Sequence, residues 1–200
     1  MGFLWSLELG AWSFELGAMM TLAQLNQLDR AAFTAALGHL FEHSPWVAEE
    51  AWAKRPFRDT AALHAELCET MRAAPKEKQL ELIRAHPDLA GRMAQEKKLT
   101  AESAREQASA GLDQLSDEEL ANFQRLNAEY RERFGFPFVI CARLNARDTI
   151  LRAMRERLKN TPEAEHAAAL REIEKIAWLR LQDVVDQAPS TKHQAPEKNQ

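Results

Sequence analysis

The sequence predicts an all-α fold, a single-domain helical bundle of about eight helices broken by one extended connector, Phe134-Gly135-Phe136-Pro137-Phe138. Apolar residues recur at spacings of three and four in stretch after stretch, which lines them along one face of a 3.6-residue helix. Most stretches are preceded by Asp, Ser or Thr, whose short oxygen-bearing side chains accept from the free N–H groups of a first helical turn. Strand signals are nearly missing, since β-branched residues do not cluster and no Asn-Gly turn separates alternating runs.

Asp29 is placed to cap a helix whose apolar stripe is Phe33, Leu37, Leu40 and Phe41. Ser44-Pro45 opens a short helix carrying Trp46 and Trp52, because proline in the first turn sacrifices no hydrogen bond. Asp59 opens another, with Leu63, Leu67 and Met71 on one stripe. Pro75 at a first-turn position starts the helix that runs through Leu80 and Ile83 and delivers His86. Thr100 caps the next, which ends near Gly111. Ser116 and Glu119 make a capping box, and Leu120, Phe123, Leu126 and Tyr130 form the buried face of a long helix that Gly135 stops. After an extended piece over 136–142, Asp148 begins a helix with Leu151, Met154 and Leu158. Thr161-Pro162 opens the last and longest, which is expected to run to about Gln187.

The 200 residues suit one domain large enough to bury a real core, expected over residues 19–187. Residues 1–18 hold a tandem heptad, Trp5-Ser6-Leu7-Glu8-Leu9-Gly10-Ala11 followed by Trp12-Ser13-Phe14-Glu15-Leu16-Gly17-Ala18. Its glutamates and lack of Lys or Arg do not fit a secretory signal, and it reads as a dispensable extension before Met19 or Met20. Residues 188–200 are polar and aperiodic, the composition of a disordered tail. With 26 basic against 30 acidic residues and no basic stripe, nucleic acid is not an expected partner. No apolar run reaches membrane-spanning length, so no membrane association is expected. Cys68 and Cys141 are too few for a disulfide framework, and the chain lacks a Ser-Lys-Leu ending, which together favour a reducing cytoplasmic location.

Four features could carry chemistry. His86 precedes Pro87, which disfavours helix for the residue before it, so an imidazole stands at a helix exit with a fixed direction. It is either a packed helix stop or a proton donor and acceptor near neutral pH. Ser103, Glu106 and Gln107 stand at i, i+3 and i+4, so a hydroxyl, a carboxylate and an amide share one helix face, either a solvated surface or a cradle for a polar planar molecule. The segment Phe134 to Arg143 is apolar and, through Pro137, non-helical. Its backbone has no evident partner, so it either plugs the core or presents its N–H and C=O groups to a ligand. Arg180 lies on the apolar stripe of Ile173, Ile176 and Val184, where a charge needs an anion, from the protein or from a ligand. Arg147, Arg152, Arg155 and Arg157 read as surface charges. Two rival readings are a metal site built from His86, Asp88 and one of His39, His43 or His64, with the His-x-x-x-His spacing at His39 and His43, and a helical interaction module that uses the tryptophan repeat.

Taken together, His86-Pro87-Asp88-Leu89-Ala90-Gly91, Ser103-Ala104-Arg105-Glu106-Gln107 with Ala110-Gly111-Leu112, Phe134 to Arg143, and Glu172-Ile173 through Ile176-Ala177 to Leu179-Arg180-Leu181 resemble the signature of the 2-oxo-4-hydroxy-4-carboxy-5-ureidoimidazoline (OHCU) decarboxylase family. The match runs from Leu22 to Val185 in the family's order, with no departure at a motif position. The resemblance implies a carboxy-lyase of urate breakdown that needs no metal or other cofactor and converts a small anionic ureidoimidazoline into (S)-allantoin. It implies a helical bundle that associates as a homodimer. Carried over residue by residue, His86 matches the catalytic proton donor and Pro87 a substrate contact. Ser103, Ala104, Arg105, Glu106 and Gln107 match a substrate-binding segment in which Glu106 polarises or orients the reacting centre. Phe138, Val139, Ile140, Cys141 and Ala142 match the segment whose backbone meets the ring, and Arg180 matches the anion-binding arginine. If Glu106 and His86 meet, the carboxylate would favour the imidazolium.

Overall fold

Helix starts fall where short polar side chains can accept from a free first turn. Asp29 Oδ1 takes the Ala32 N–H at 2.8 Å, Asp59 Oδ1 that of Ala62 at 2.6 Å, and Thr161 Oγ1 that of Ala164 at 3.2 Å. Ser116 and Glu119 exchange both bonds of the capping box, at 3.3 and 2.8 Å. The computed structural model describes residues 19–91, 94, 96 and 98–186. The expectations for the repeat at 1–18 and the tail at 188–200 lie outside the described residues. Within them are nine α-helices: α1 (Leu22–Gln27), α2 (Arg30–Leu37), α3 (Trp46–Ala51), α4 (Thr60–Ala73), α5 (Lys76–Ala85), α6 (Ala101–Ser109), α7 (Asp117–Phe134), α8 (Arg147–Arg157) and α9 (Pro162–Val184). Single 3-10 turns lie at Gly38–Leu40, Trp52–Lys54 and Ala142–Leu144. No strand is present among the described residues. The fold is all-α.

Several boundaries differ from expectation for local reasons. Helix α1 was not foreseen; a capping box between Thr21 and Gln24 supports six residues with Leu25 as their buried contact, too short for periodicity to register. Helix α2 stops at Leu37 because the chain tightens into a 3-10 turn at Gly38–Leu40, and after this turn Phe41, Glu42 and Ser44 are buried while His43 is exposed. His39 and His43 therefore do not share a helix: His39 is on the 3-10 turn and His43 lies beyond it with φ +47°. Pro75 stands just before α5, α8 begins at Arg147 with Asp148 in its first turn, and α9 ends at Val184.

Helix α9, about 35 Å long at 1.5 Å per residue, is the central strut. It packs against α4, α5 and the first 3-10 turn, while α2 packs on α3, α3 on α4, and α7 on α8. Leu63, Leu67 and Met71 of α4, Ile83 of α5, Phe123, Leu126 and Tyr130 of α7, and Ile173 and Ile176 of α9 are buried as their spacing predicted, with Leu82, Ala177 and Leu181 buried beside them, while Leu80 and Val184 are half-buried. Each such Leu or Phe contributes roughly 1.5–3 kcal/mol by leaving water. The ends of the domain meet where Met20 N–H donates to Val184 C=O and Asp186 N–H to Met20 C=O, both at 2.9 Å. Gly135 ends α7 at φ +74°, its N–H donating to Arg131 C=O, and turns the chain into the connector.

Candidate active site

His86 is the residue after α5, with φ −70° and ψ 137°, the extended conformation that Pro87 dictates. Its Nδ1 lies 2.9 Å from Leu82 C=O. A carbonyl only accepts, so Nδ1 carries the proton and Nε2 of the neutral ring presents a lone pair. Nε2 is buried without a hydrogen-bond partner, on a ring that lines a cavity of about 30 Å³. Burial pulls the imidazole down to about 4, against the opposing effects of the Leu82 carbonyl and the Glu42 charge. At neutral pH the ring is a free base. The carboxylate whose field reaches it is Glu42 rather than Glu106, and that field does not keep it protonated, which corrects the expectation of a Glu106-stabilised imidazolium.

The loop behind His86 is tied down from two helices. Gln107 Oε1 of α6 accepts from Ala90 N–H at 2.9 Å and its Nε2 donates to Asp88 C=O at 3.3 Å. Asn127 Nδ2 of α7 donates to Leu89 C=O at 2.9 Å, and Arg131 Nε bridges both Asp88 carboxylate oxygens at 2.9 and 3.0 Å. A Cβ on Gly91 would stand 2.6 Å from Asp88 Cβ, so only glycine fits there. Asp88 is thereby a structural anchor.

Arg180 of α9 is buried, and two protein carboxylates meet it. Its Nε and Nη2 donate to Glu106 Oε1 and Oε2 at 2.7 and 2.8 Å, a bidentate pair. Its Nη1 and Nη2 also donate to Glu42 Oε2, each at 3.1 Å. Glu42 in turn accepts from Ser103 Oγ and Thr100 Oγ1, both at 3.0 Å. Burial works against both charges, yet the attraction of Arg180 holds Glu42 below the usual carboxylate range, and the bonds to Glu106 and Glu42 hold Arg180 above its ordinary value.

The connector forms the opposite wall with partners of its own. Arg157 Nη1 donates to Val139 C=O at 2.8 Å while its guanidinium lies 4.5 Å from the Phe138 ring centre. Glu165, fully buried, receives Arg157, Tyr130 Oη and Asn160 Nδ2. Arg157 is therefore half-buried and committed to the interior, its side chain 15% exposed, which corrects its reading as a surface charge; the sequence hides this because its partner comes from the next helix. Cys141 N–H donates to Glu172 Oε2 at 2.9 Å. Burial pushes the thiols of Cys141 and Cys68 up to about 11 and about 12, so neither is poised as a nucleophile.

Of the expected site residues, His86, Pro87, Ser103, Glu106, Gln107, Phe138, Val139, Ile140, Ala142 and Arg180 line this one cavity, together with Leu89 and Ile176. Ala104 and Arg105 point to the outer side of α6, Arg105 lining a neighbouring recess, and Cys141 is buried away from the cavity. Glu42 went unread: in Phe41-Glu42-His43-Ser44-Pro45 a carboxylate bound for the interior looks like an ordinary turn residue.

An all-α bundle that converges a neutral buried imidazole, a doubly paired arginine and an apolar backbone wall on one small cavity defines a protein with a site for a small molecule. Residues 26–182 match the sequence profile described as OHCU decarboxylase, and the chain belongs to that family. It is 45% identical over 172 residues to the 2-oxo-4-hydroxy-4-carboxy-5-ureidoimidazoline decarboxylase of Amia calva, covering 86% of this chain and 98% of that one. It is 43% identical to the Mus musculus enzyme of the same name, over 83% of this chain and 93% of the other. A crystal structure of (S)-allantoin synthase superposes with a TM-score of 0.66 at 32% identity, over 84% of this chain and 54% of that one.

Proposed function

We propose that this chain is a carboxy-lyase that decarboxylates 2-oxo-4-hydroxy-4-carboxy-5-ureidoimidazoline to (S)-allantoin in urate breakdown, without a cofactor, with His86 delivering a proton to one face of the product. The observation that carries this reading is the unpartnered Nε2 of His86 in the same cavity as Arg180, inside a chain of this family. The substrate's name fixes the chemistry. Carbon 4 bears both hydroxyl and carboxylate, and the ring holds a C=N bond at carbon 5. When the C–C bond to the carboxylate breaks, its electron pair forms a C4–C5 double bond and the ring nitrogen receives the displaced pair, so the substrate is its own electron sink. The nitrogen then takes a proton from solvent. Next the C4 hydroxyl loses its proton as the C=O forms, and carbon 5 gains one.

A neutral His86 suits that last exchange. Its Nε2 lone pair takes the hydroxyl proton and returns it to carbon 5 from its own side of the ring, which makes one enantiomer. Arg180 meets the carboxylate until CO2 leaves. Ser103, Glu106 and Gln107 on α6, Pro87, and the backbone of Phe138 to Ala142 hold the ring in register. The resemblance also carries a homodimer, which sedimentation equilibrium reads directly, and a cytoplasmic location; among the described residues no helix is long and apolar enough to cross a membrane.

The test generates the substrate freshly from urate and follows optical activity as allantoin forms. The protein is expected to accelerate the reaction and yield the S enantiomer; racemic allantoin at the spontaneous rate overturns the proposal. His86→Asn is expected to keep the fold and lose about 10²–10⁴-fold in kcat, the usual worth of a positioned acid–base group. Near-normal turnover would assign the proton to another residue.

A further inference from the structure

The hydroxyl of Ser103 has one proton to give, and a buried carboxylate takes it. Ser103 is buried on α6, where it lines the cavity beside His86, and its Oγ donates to Glu42 Oε2 at 3.0 Å. A carboxylate only accepts, so the direction of this bond is fixed. Thr100, the cap of α6, is held the same way: its Oγ1 donates to Glu42 Oε1 at 3.0 Å, and the same oxygen accepts the Ser103 N–H at 3.2 Å. Arg180 Nη2, 3.4 Å from Ser103 Oγ, is a pure donor as well. Ser103 therefore has only a lone pair to offer the cavity.

Glu42 is committed to this task. It is buried, and besides the two hydroxyls it takes Arg180 Nη1 and Nη2, each at 3.1 Å. It does not line the cavity, so it acts there through Ser103 and Arg180. Gln107, one turn further along α6, has the opposite polarity. Ala90 N–H claims its Oε1 at 2.9 Å, which orients the amide, and Nε2 keeps a second N–H beyond the one given to Asp88 C=O. An acceptor and a donor one turn apart match a ring N–H beside a ring C=O. In the ureidoimidazoline, the nitrogen between the 2-oxo carbon and carbon 4 carries such an N–H. Carbon 4 also bears the carboxylate read to meet Arg180, the neighbour of Ser103.

We propose that Glu42 is a positioning residue for the reaction: by holding the proton of Ser103 it makes that hydroxyl an obligate acceptor, which selects the substrate's ring N–H next to carbon 4. The inference rests on the decarboxylase reading above. A ring with oxygen at that place sets lone pair against lone pair and leaves the buried acceptor without a partner.

The test is calorimetric binding of two isomeric probes to the full chain: 2-oxooxazolidine-4-carboxylate, whose N–H adjoins the carboxylate-bearing carbon, and 2-oxooxazolidine-5-carboxylate, which has the ring oxygen there. Wild type is expected to bind the first at least about tenfold tighter. Ser103→Ala is expected to bring the isomers within about twofold of each other, since the acceptor is gone. Glu42→Leu is expected to do the same with Ser103 in place, because the freed hydroxyl rotates and donates to the ring oxygen. Glu42→Gln is expected to keep the preference: its amide oxygen must face the guanidinium, which only donates, and Ser103 donates to that same oxygen. A loosened protein would weaken both isomers alike, so the ratio is the readout. Equal binding of the isomers by wild type, a preference that survives Ser103→Ala or Glu42→Leu, or one lost in Glu42→Gln overturns the assignment while leaving the decarboxylase reading intact. The wild-type comparison holds even where Glu42→Leu does not fold. Failure of the wild type to bind either isomer overturns both.

Discussion

His86 shows how one proline and one carbonyl define a reactive group. Pro87 takes the residue out of the helix, Leu82 C=O fixes the proton on Nδ1, and burial keeps the ring neutral. Its titration is a stability statement with a definite sign. The pKa falls from 6.5 in the unfolded chain to about 4 in the folded one, so the unfolded state binds more protons between those values. The associated stability is fully present above pH 6.5 and is lost as pH falls toward 4, to a total of roughly 3 kcal/mol. Urea denaturation at pH 7 and pH 4 of wild type and His86→Asn is expected to show the smaller pH loss in the variant. An identical loss in both would mean that His86 titrates normally. His39 and His166 are also lowered by burial and remain in both proteins, so the difference isolates His86.

At the scale of elements, the connector shows what an unpaired apolar segment requires. Its position and lack of helix were legible in Gly135 and Pro137, and so was its need for backbone partners. The partners were not, because Arg157 and Glu172 are charged residues on helices that read as solvent-facing, and sequence separates them from the connector by 18 and 31 residues. Arg157→Met strands a buried Glu165 and is expected to cost about 3–5 kcal/mol, whereas Arg157→Met with Glu165→Leu is expected to recover most of that loss. Urea denaturation of the single and double variants checks this; a single-variant loss below about 1 kcal/mol would place the pair at the level of a surface bridge.

For the whole molecule, the bundle brings together positions far apart in the chain: Glu42 and Arg180 are 138 residues apart, and Glu106 is 74 from Arg180. The central strut α9 does this by packing against α4, α5 and the first 3-10 turn at once. The backbone bonds between Met20 and residues 184 and 186 join the two ends of the domain. Removing residues 1–18 is expected to leave activity and thermal stability unchanged. Removing residues 1–21 deletes this clasp and the Thr21 cap of α1, and is expected to cost about 1–2 kcal/mol. Melting curves of the two truncations separate the cases; equal melting temperatures would show that the clasp contributes nothing.

By itself the sequence determined the helical class, the caps that start most helices, the glycine that ends α7, the extended connector and the residues whose pattern marks the family. These are local matters, decided by a residue's own backbone preferences and by neighbours within one helical turn. Only the tertiary structure decided that Arg180 has two carboxylate partners, that Glu42 is one of them, that Arg157 reaches inward to Glu165, and that His86 is a base at rest. Those depend on desolvation and on charges brought close by packing, and a carboxylate bound for the interior is spelled with the same letter as one bound for the surface.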